Sequence, residues 1–139
     1  MKIWLGVLLL LLVAPAPAIA QTVTRVSDGD TIRVLINGKE ERIRLACIDA
    51  PEMKQVPFGA ASRDRLRQLT PVGSTVRLRT FNRDRFGRLI AEVFHAGENV
   101  NLQMVREGQA VVYRQYLQNC DRNAYLPAEW EAKQRRSGF

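Results

Sequence analysis

Two Asx-Gly pairs near the start of this chain separate three short segments that are rich in β-branched residues. Asp28-Gly29 joins residues 22–27 to residues 31–36, and Asn37-Gly38 leads into residues 40–48. Such pairs are strong hairpin signals, because Asp, Asn and Gly tolerate the left-handed backbone of a tight turn. The flanking segments alternate apolar and polar side chains with the period of a half-buried strand. The sequence therefore predicts three antiparallel strands that follow one another as a meander.

Pro51 ends this meander, since proline lacks the amide donor that a strand ladder needs. Residues 59–69 contain good helix formers and almost no β-branched residues, which favours a helix. Two further strands are predicted at residues 75–80 and 89–94. Asn99 is expected to cap a helix that Gly108 ends. An extended segment at 111–113 follows, and a last helix at 127–136 begins near Pro127. This order predicts an α+β, mainly β fold: a five-stranded Greek-key barrel of the OB type with about three helices.

The first twenty residues have the pattern of a secretory signal peptide. Lys2 precedes an apolar run at residues 3–13, and Ala18-Ile19-Ala20 provides an Ala-x-Ala cleavage site. A retained membrane anchor is the weaker alternative, because the run is shorter than the ~20 residues that span a bilayer. We therefore predict a signal at residues 1–20 and one domain at residues 21–139. The mature protein is expected to be secreted or periplasmic, monomeric and without stable membrane insertion.

The net positive charge of the chain indicates what kind of molecule it binds. The chain has 21 Lys and Arg residues against 14 Asp and Glu, a formal net charge of +7. A small basic exported protein favours polyanions such as nucleic acid, anionic lipid or cell-wall polymer. Charge alone does not choose among these, although only residues 60–69 offer an amphipathic basic helix for a lipid surface.

Cys47 and Cys120 are the only cysteines in the sequence. An exported chain meets an oxidising compartment, where an even pair of cysteines is usually bonded. We predict a disulfide between them, and the alternative is two separate buried thiols.

Acidic residues on different predicted strands suggest a cation site. Asp30 and Asp49 can meet at the mouth of a barrel, and together with the Ala50 carbonyl they would supply the oxygen ligands that Ca²⁺ prefers. Zn²⁺ is disfavoured, because His95 is the one histidine and the cysteines are better used in a disulfide. The alternative for Asp28-Gly29-Asp30 is an ordinary hairpin turn.

Glu52, Arg44 and Arg88 complete a candidate catalytic set. Glu52 follows a proline that directs it away from the strand ladder, where a carboxylate can act as general base towards water. Each arginine can give two parallel hydrogen bonds to a phosphate. The alternative is that all three are ordinary solvated surface charges. A shared site further requires a break in the strand near Ile48, because Arg44 and Asp49 would face opposite sides of a regular strand.

Four sequence blocks occur in an order that resembles the thermonuclease (micrococcal nuclease) family. They are Asp28-Gly-Asp-Thr31, Arg44-Leu-Ala-Cys-Ile-Asp49-Ala-Pro-Glu52, Asp84-Arg-Phe-Gly-Arg88 and Val100-Asn-Leu-Gln-Met-Val-Arg-Glu-Gly-Gln-Ala110. The resemblance runs from about Val23 to Tyr113 and is weaker in the last helix. Each block is a weak motif alone, whereas all four in order with compatible spacing are strong support.

The resemblance implies an OB-type barrel and calcium-dependent hydrolysis of DNA and RNA that leaves 3′-phosphate and 5′-hydroxyl ends. We expect single-stranded or locally unpaired substrate to be preferred. By position, Asp30, Asp49 and the Ala50 carbonyl would bind Ca²⁺, and Glu52 would assist the attacking water. Arg44 and Arg88 would hold the phosphate. Arg85 and Tyr113 match substrate-contacting positions.

The sequence departs from the family pattern at three points. Ala50 and Phe86 stand where threonine and tyrosine are common, so two hydroxyl groups are lost, and the chain ends at Phe139 where relatives commonly continue. The rival function is a catalytically silent OB module that only binds nucleic acid. That rival would need the barrel and its charge but not the full set of carboxylates and arginines.

Overall fold

A computed structural model describes residues 1–4, 6, 8–13, 21–135 and 138. The predicted cleavage site at residues 18–20 lies outside these residues, so the signal and domain boundaries stay predictions. Across the described ranges, no helix is both long enough and apolar enough to cross a membrane.

The strands, in chain order, are β1 Gln21–Asp28, β2 Thr31–Ile36, β3 Lys39–Leu45, β4 Ile48–Asp49, β5 Arg77–Arg83, β6 Leu89–His95, β7 Glu98–Asn99 and β8 Val111–Val112. The main sheet has the order β1-β2-β3-β6-β5, in which β3 and β6 run parallel and the other neighbours are antiparallel. β7 pairs with β6, and β4 pairs with β8 in a separate two-stranded ladder. The predicted meander of three strands is confirmed, but β3 ends at Leu45, before the predicted end at residue 48.

Hydrogen bonds between the first strand and the segment before β5 close the sheet into a barrel. The Val23 amide donates to the Ser74 carbonyl at 2.9 Å, and the Val76 amide donates to the Gln21 carbonyl at 2.8 Å. A bridge between Thr22 and Thr75 lies between these two bonds. β1 therefore has a partner on both sides, and the predicted α+β fold with an OB-type barrel is confirmed.

The helices are α1 Phe58–Leu69, α2 Val100–Arg106 and α3 Arg122–Gln134, with a 3₁₀ helix at Arg114–Asn119. The Asn99 side chain caps α2 by accepting a hydrogen bond from the Leu102 amide at 3.1 Å, as predicted. The predicted start of the last helix was wrong. Asp121 caps α3 through the Asn123 amide at 3.0 Å, so Pro127 lies inside the helix.

The core fills the barrel and the space beneath the helices. Its largest fully buried side chains come from the barrel strands, from all three α-helices, from the short strand β4 and from the 3₁₀ helix: Tyr125, Ile32, Ile43, Leu45, Ile48, Leu66, Met104 and Leu117. The polar groups considered below lie around one end of this core, where β1, β3 and β6 meet their turns.

Candidate active site

The β1–β2 turn presents Asp30 and depends on a close contact at Gly29. The Asp28 carboxylate accepts a hydrogen bond from the Asp30 amide at 3.0 Å and so shapes the turn. A β-carbon on Gly29 would lie 1.9 Å from Ser62 Oγ and 2.7 Å from the β-carbon of Ala50. Glycine is therefore required here because α1 and the segment after β4 both pack directly against the turn.

The β3–β4 turn brings Arg44 and Asp49 together. β3 ends at Leu45, and Ala46 and Cys47 form a turn in which Cys47 has a left-handed backbone with φ of 68°. Asp49 therefore faces back, and its Oδ1 lies 3.5 Å from Arg44 Nη2. A strand break was predicted near Ile48, and the structure contains it just before that residue.

Arg44 links the turn to both carboxylates. Its Nη1 donates to the carbonyls of Leu45 and Ile48 at 2.7 and 2.9 Å. Its Nη2 lies 3.4 Å from Asp30 Oδ2 as well as near Asp49. Asp30 and Asp49 come from different elements, and the structure brings both carboxylates to within 3.5 Å of the same Arg44 nitrogen.

Asp30 is a buried carboxylate in a mixed electrostatic environment. Its Oδ2 accepts a hydrogen bond from the Ala50 amide at 2.8 Å, and its Oδ1 accepts one from the Thr31 hydroxyl at 3.3 Å. The pKa of Asp30 is raised to about 6: burial is the largest cause and the Asp28 carboxylate adds to it, whereas Arg44 and the Ala50 amide partly offset the rise. A cation nearby would favour the ionised form of such a group.

The available donors fit a hard cation better than a soft one. Both cysteines are in a disulfide, and His95 lies at the end of β6, so the ligands near Asp30 are oxygens. Within the described part of the chain, no three His, Cys, Asp or Glu side chains form a group able to hold a metal. A cation between Asp30 and Asp49 would thus need further oxygens from the Ala50 carbonyl, water or substrate, as Ca²⁺ readily accepts.

Glu52 has a fixed backbone and an exposed carboxylate. Its amide donates to Gln55 Oε1 at 2.7 Å, and the Gln55 amide donates back to the Glu52 carbonyl at 2.8 Å. A β-carbon on Gly59 would lie 2.1 Å from that carbonyl oxygen, so the start of α1 packs beneath it. The Glu52 side chain is 68% exposed and pairs with Lys54 at 3.2 Å. Among the described residues, no hydrogen bond or ion pair joins it to Asp30, Asp49 or Arg44.

Arg88 is held by an acidic residue from its own turn. Asp84 accepts hydrogen bonds from the Arg88 amide at 3.0 Å and from its Nε at 2.7 Å. Burial alone would raise the pKa of Asp84, but the hydrogen bonds and charge of Arg88 prevail and lower it. Neither Nη group of Arg88 has a hydrogen-bond acceptor in the described residues. Both Nη groups therefore remain available to donate hydrogen bonds to an anion.

The register of the sheet relates Arg88 to Arg44. Arg44 pairs with Ile90 on the neighbouring parallel strand β6. Arg88 immediately precedes β6, two positions before Ile90. The two arginines therefore come from neighbouring segments of the sheet.

An aromatic ring contacts two arginines of the same turn. The Phe86 ring is 4.8 Å from the guanidinium carbon of Arg85 and 5.4 Å from that of Arg88. Such cation–π contacts favour particular side-chain directions. Phe86 itself is exposed, so its ring is also accessible to a ligand.

Tyr113 lies against the turn that carries Cys47. Its amide donates to the Cys47 carbonyl at 2.8 Å, and its ring meets that of Tyr116 edge-on with centroids 4.8 Å apart. The predicted disulfide between Cys47 and Cys120 is present. The candidate substrate-contacting tyrosine is thus next to the β3–β4 turn.

The sequence analysis assigned no supporting role to four residues: Gln55, Gly59, Asp84 and Glu129. Only Asp84 carried a local signal, since it lies four positions before Arg88 in a polar turn. Glu129 is nearly fully buried and accepts a hydrogen bond from the Val112 amide at 2.6 Å. Val112 belongs to β8, which pairs with β4 and so supports Asp49.

Comparison with known proteins identifies similarity to nucleases and endonucleases. A sequence model described as "Staphylococcal nuclease homologue" matches residues 42–139. A protein of Escherichia coli O157:H7 named "uncharacterized endonuclease" is 47% identical over 119 residues, which cover 84% of this chain and 74% of that protein. The "micrococcal nuclease" of Shigella flexneri is 40% identical over 126 residues, covering 84% and 71%. An "uncharacterized endonuclease" of Haemophilus influenzae is 39% identical over 118 residues, covering 84% and 64%.

Proposed function

This chain belongs to the staphylococcal nuclease family and is a nuclease, and from that premise we propose that it is an exported, calcium-dependent endonuclease of DNA and RNA. We further propose that it hydrolyses phosphodiester bonds to leave 3′-phosphate and 5′-hydroxyl ends. The observation that carries the site assignment is the meeting of Asp30 and Asp49 at one guanidinium nitrogen of Arg44. Carboxylates from separate elements converge there with a cation that can bind phosphate.

Asp30, Asp49 and the Ala50 carbonyl are the residues that would hold Ca²⁺. The Ala50 amide fixes Asp30 Oδ2, and the turn at Cys47 fixes the direction of Asp49. Bound there, Ca²⁺ would supply positive charge that polarises the scissile phosphate. The loss of a hydroxyl at Ala50, relative to the common threonine, leaves the carbonyl ligand unchanged.

Glu52 is the proposed general base or water-orienting group. Its exposed carboxylate can accept a proton from water, and Gln55 and Gly59 hold its backbone on α1. The Lys54 ion pair is exposed and therefore weak, so it does not prevent Glu52 from turning towards substrate.

Arg44 and Arg88 would hold the phosphate and stabilise the charge that develops during displacement. Asp84 uses the Nε side of Arg88 and so directs its outer donors away from the turn. Arg44 has a second task, because its Nη1 bonds maintain the β3–β4 turn that presents Asp49.

Arg85, Phe86 and Tyr113 are the proposed substrate-binding residues. Arg85 would contact phosphates, while the rings of Phe86 and Tyr113 would pack against sugars or unpaired bases. Stacking needs an accessible base face, so we propose a preference for single-stranded or locally unpaired substrate. The monomeric state and export through the predicted signal remain part of the same proposal.

The test is digestion of single-stranded DNA and of RNA by the purified mature protein, with calcium and with excess chelator. We expect internal cleavage in calcium, none in chelator, and products that a 5′-kinase labels without prior phosphatase treatment. Cleavage that persists in chelator would contradict the metal assignment. Binding without cleavage under every condition would favour the silent OB module.

A further inference from the structure

The disulfide joins two segments that both carry proposed site residues. Cys47 lies in the turn between Arg44 and Asp49, and its left-handed backbone produces the reversal that brings those two side chains together. Cys120 directly follows the 3₁₀ helix Arg114–Asn119. The bond therefore ties the catalytic turn to the segment that begins after Tyr113.

Two further contacts reinforce the same junction. The Tyr113 amide donates to the Cys47 carbonyl at 2.8 Å, and the Cys47 sulfur lies 3.3 Å from the Tyr116 carbonyl oxygen. A disulfide sulfur carries no hydrogen, so the second contact is packing and not a hydrogen bond. Cys47 is thus the centre of the contacts between the β3–β4 turn and the Tyr113–Tyr116 pair.

The segment on the Cys120 side has few other anchors. Leu117 is its one buried residue, and Tyr116 interrupts the helix with φ of −123° and ψ of 24°. Arg114 adds one part-buried ion pair, with Glu129, and the Asn119 carbonyl accepts one hydrogen bond from Arg79. Segments with so few buried contacts open locally at low free energy. β1, β2 and β3, in contrast, are held by their own ladder and core residues.

We propose that the Cys47–Cys120 disulfide is a positioning element of the active site, and that its reduction lowers nuclease activity while the barrel stays folded. This inference rests on the proposed function. In the reaction, a dithiol donates two electrons, the sulfur–sulfur bond breaks, each cysteine gains a proton, and the dithiol becomes a disulfide. The β3–β4 turn and the Tyr113 segment then lose their covalent link. The enzyme would accordingly be weak in a reducing compartment and reach full activity after export.

The experiment compares the purified exported protein before and after treatment with excess dithiothreitol, in saturating calcium. Initial rates of single-stranded DNA cleavage give kcat and KM, and amide hydrogen exchange gives local order. The combined Cys47→Ser and Cys120→Ser variant is the matched control for side effects of the reductant. We expect reduction to lower kcat/KM about tenfold through a small misplacement of site residues. The double variant should be equally weak and should not respond to dithiothreitol.

Hydrogen exchange separates a local effect from unfolding. The Val112 and Tyr113 amides should exchange faster after reduction, while the β1–β2 amides keep their protection. Unchanged kcat and KM in the reduced protein would overturn the inference, and so would equal loss of protection in β1, β2 and the Tyr113 segment. If the oxidised protein cuts no nucleic acid, the proposed function fails instead. In that case hydrogen exchange still tests the role of the disulfide: if the Tyr113 amide exchanges at the same rate before and after reduction, the positioning claim is overturned.

Discussion

Replacing Glu129 with Gln should destabilise the domain well beyond what loss of a surface ion pair would do. Glu129 is 4% exposed and accepts hydrogen bonds from the Val112 amide at 2.6 Å, from Arg114 at 2.5 Å and from Lys133 at 3.3 Å. Arg114 and Lys133 have side chains that are 61% exposed. The buried bond to Val112 therefore carries most of the effect.

The expected size follows from these contacts. Glutamine keeps the shape and one acceptor oxygen, but it loses the charge that strengthens the Val112 bond and turns an NH₂ group towards two cations. Hydrogen bonds to charged groups contribute about 1.5–3 kcal/mol, so we expect a loss of roughly 2 kcal/mol in the free energy of unfolding. Lys133→Ala is the matched control. Because exposed ion pairs contribute about 1 kcal/mol or less, this variant should lose no more than that in the free energy of unfolding.

The contribution of Glu129 to the free energy of unfolding should depend on pH. Burial would raise the pKa of Glu129, but the hydrogen bonds from Arg114, Val112 and Lys133 prevail and lower it below its ordinary 4.5. A carboxyl with a lowered pKa in the folded state stabilises above its ordinary pKa and loses that effect as pH falls through the folded pKa. The difference between the wild type and Glu129→Gln should thus be complete at neutral pH and shrink below pH 4.5.

Urea unfolding from neutral to acidic pH measures all of these quantities. If Glu129→Gln and Lys133→Ala reduce stability equally at neutral pH, the buried bond to β8 is not the dominant contact. A difference that stays constant below pH 4.5 would refute the assignment of the effect to the ionised carboxylate.

Further variants test the residues that support the site. Asp84→Ala should lower kcat/KM about tenfold, because Arg88 loses the carboxylate that aligns it. The control Asp64→Ala, which removes an exposed ion pair on α1, should leave kcat/KM unchanged. Equal activities of the two variants would refute the positioning of Arg88 by Asp84. Gly59→Ala should destabilise by roughly 1–3 kcal/mol and also slow cleavage, because its β-carbon would meet the Glu52 carbonyl. Ala61→Gly, exposed in the same helix, should cost about 1 kcal/mol without slowing cleavage, and equal rates for the two variants would count against the Glu52 role. Arg85→Ala should weaken DNA binding and reduce the salt dependence of log K by about one, as loss of one phosphate contact predicts; an unchanged slope would exclude that contact.

The barrel was largely predictable because its signals are local. Asp28-Gly29 and Asn37-Gly38 marked the hairpins, and Asn99 marked the start of α2, since turns and caps depend on neighbouring residues. The last helix was predicted to start at Pro127 because proline favours first turns, but the Asp121 cap acts earlier. The strand break before Ile48 was required by the site argument, yet its position at Cys47 had no sequence signal.

The supporting contacts of the site were less predictable because they are made over long sequence distances. Gly29 touches Ser62, and Glu129 bonds to Val112, so neither role can be recognised from neighbouring residues. The converging acids were predicted as a pair from different strands, and Arg44 joins them in the structure. Glu52 was grouped with them because it follows Pro51 and matches a family motif, and its direct contacts are with Gln55, Gly59 and Lys54 instead.

The role of Glu52 in catalysis is the claim on which the account depends most. The decisive measurement is single-turnover cleavage of single-stranded DNA in calcium by the wild type, by Glu52→Gln and by Glu131→Gln, an exposed carboxylate on α3 that serves as the control. We predict that Glu52→Gln binds DNA with unchanged affinity and cuts about 10²-fold or more slowly, as loss of a general base implies. Glu131→Gln should match the wild type in both. Cleavage by Glu52→Gln at the wild-type rate would contradict the account.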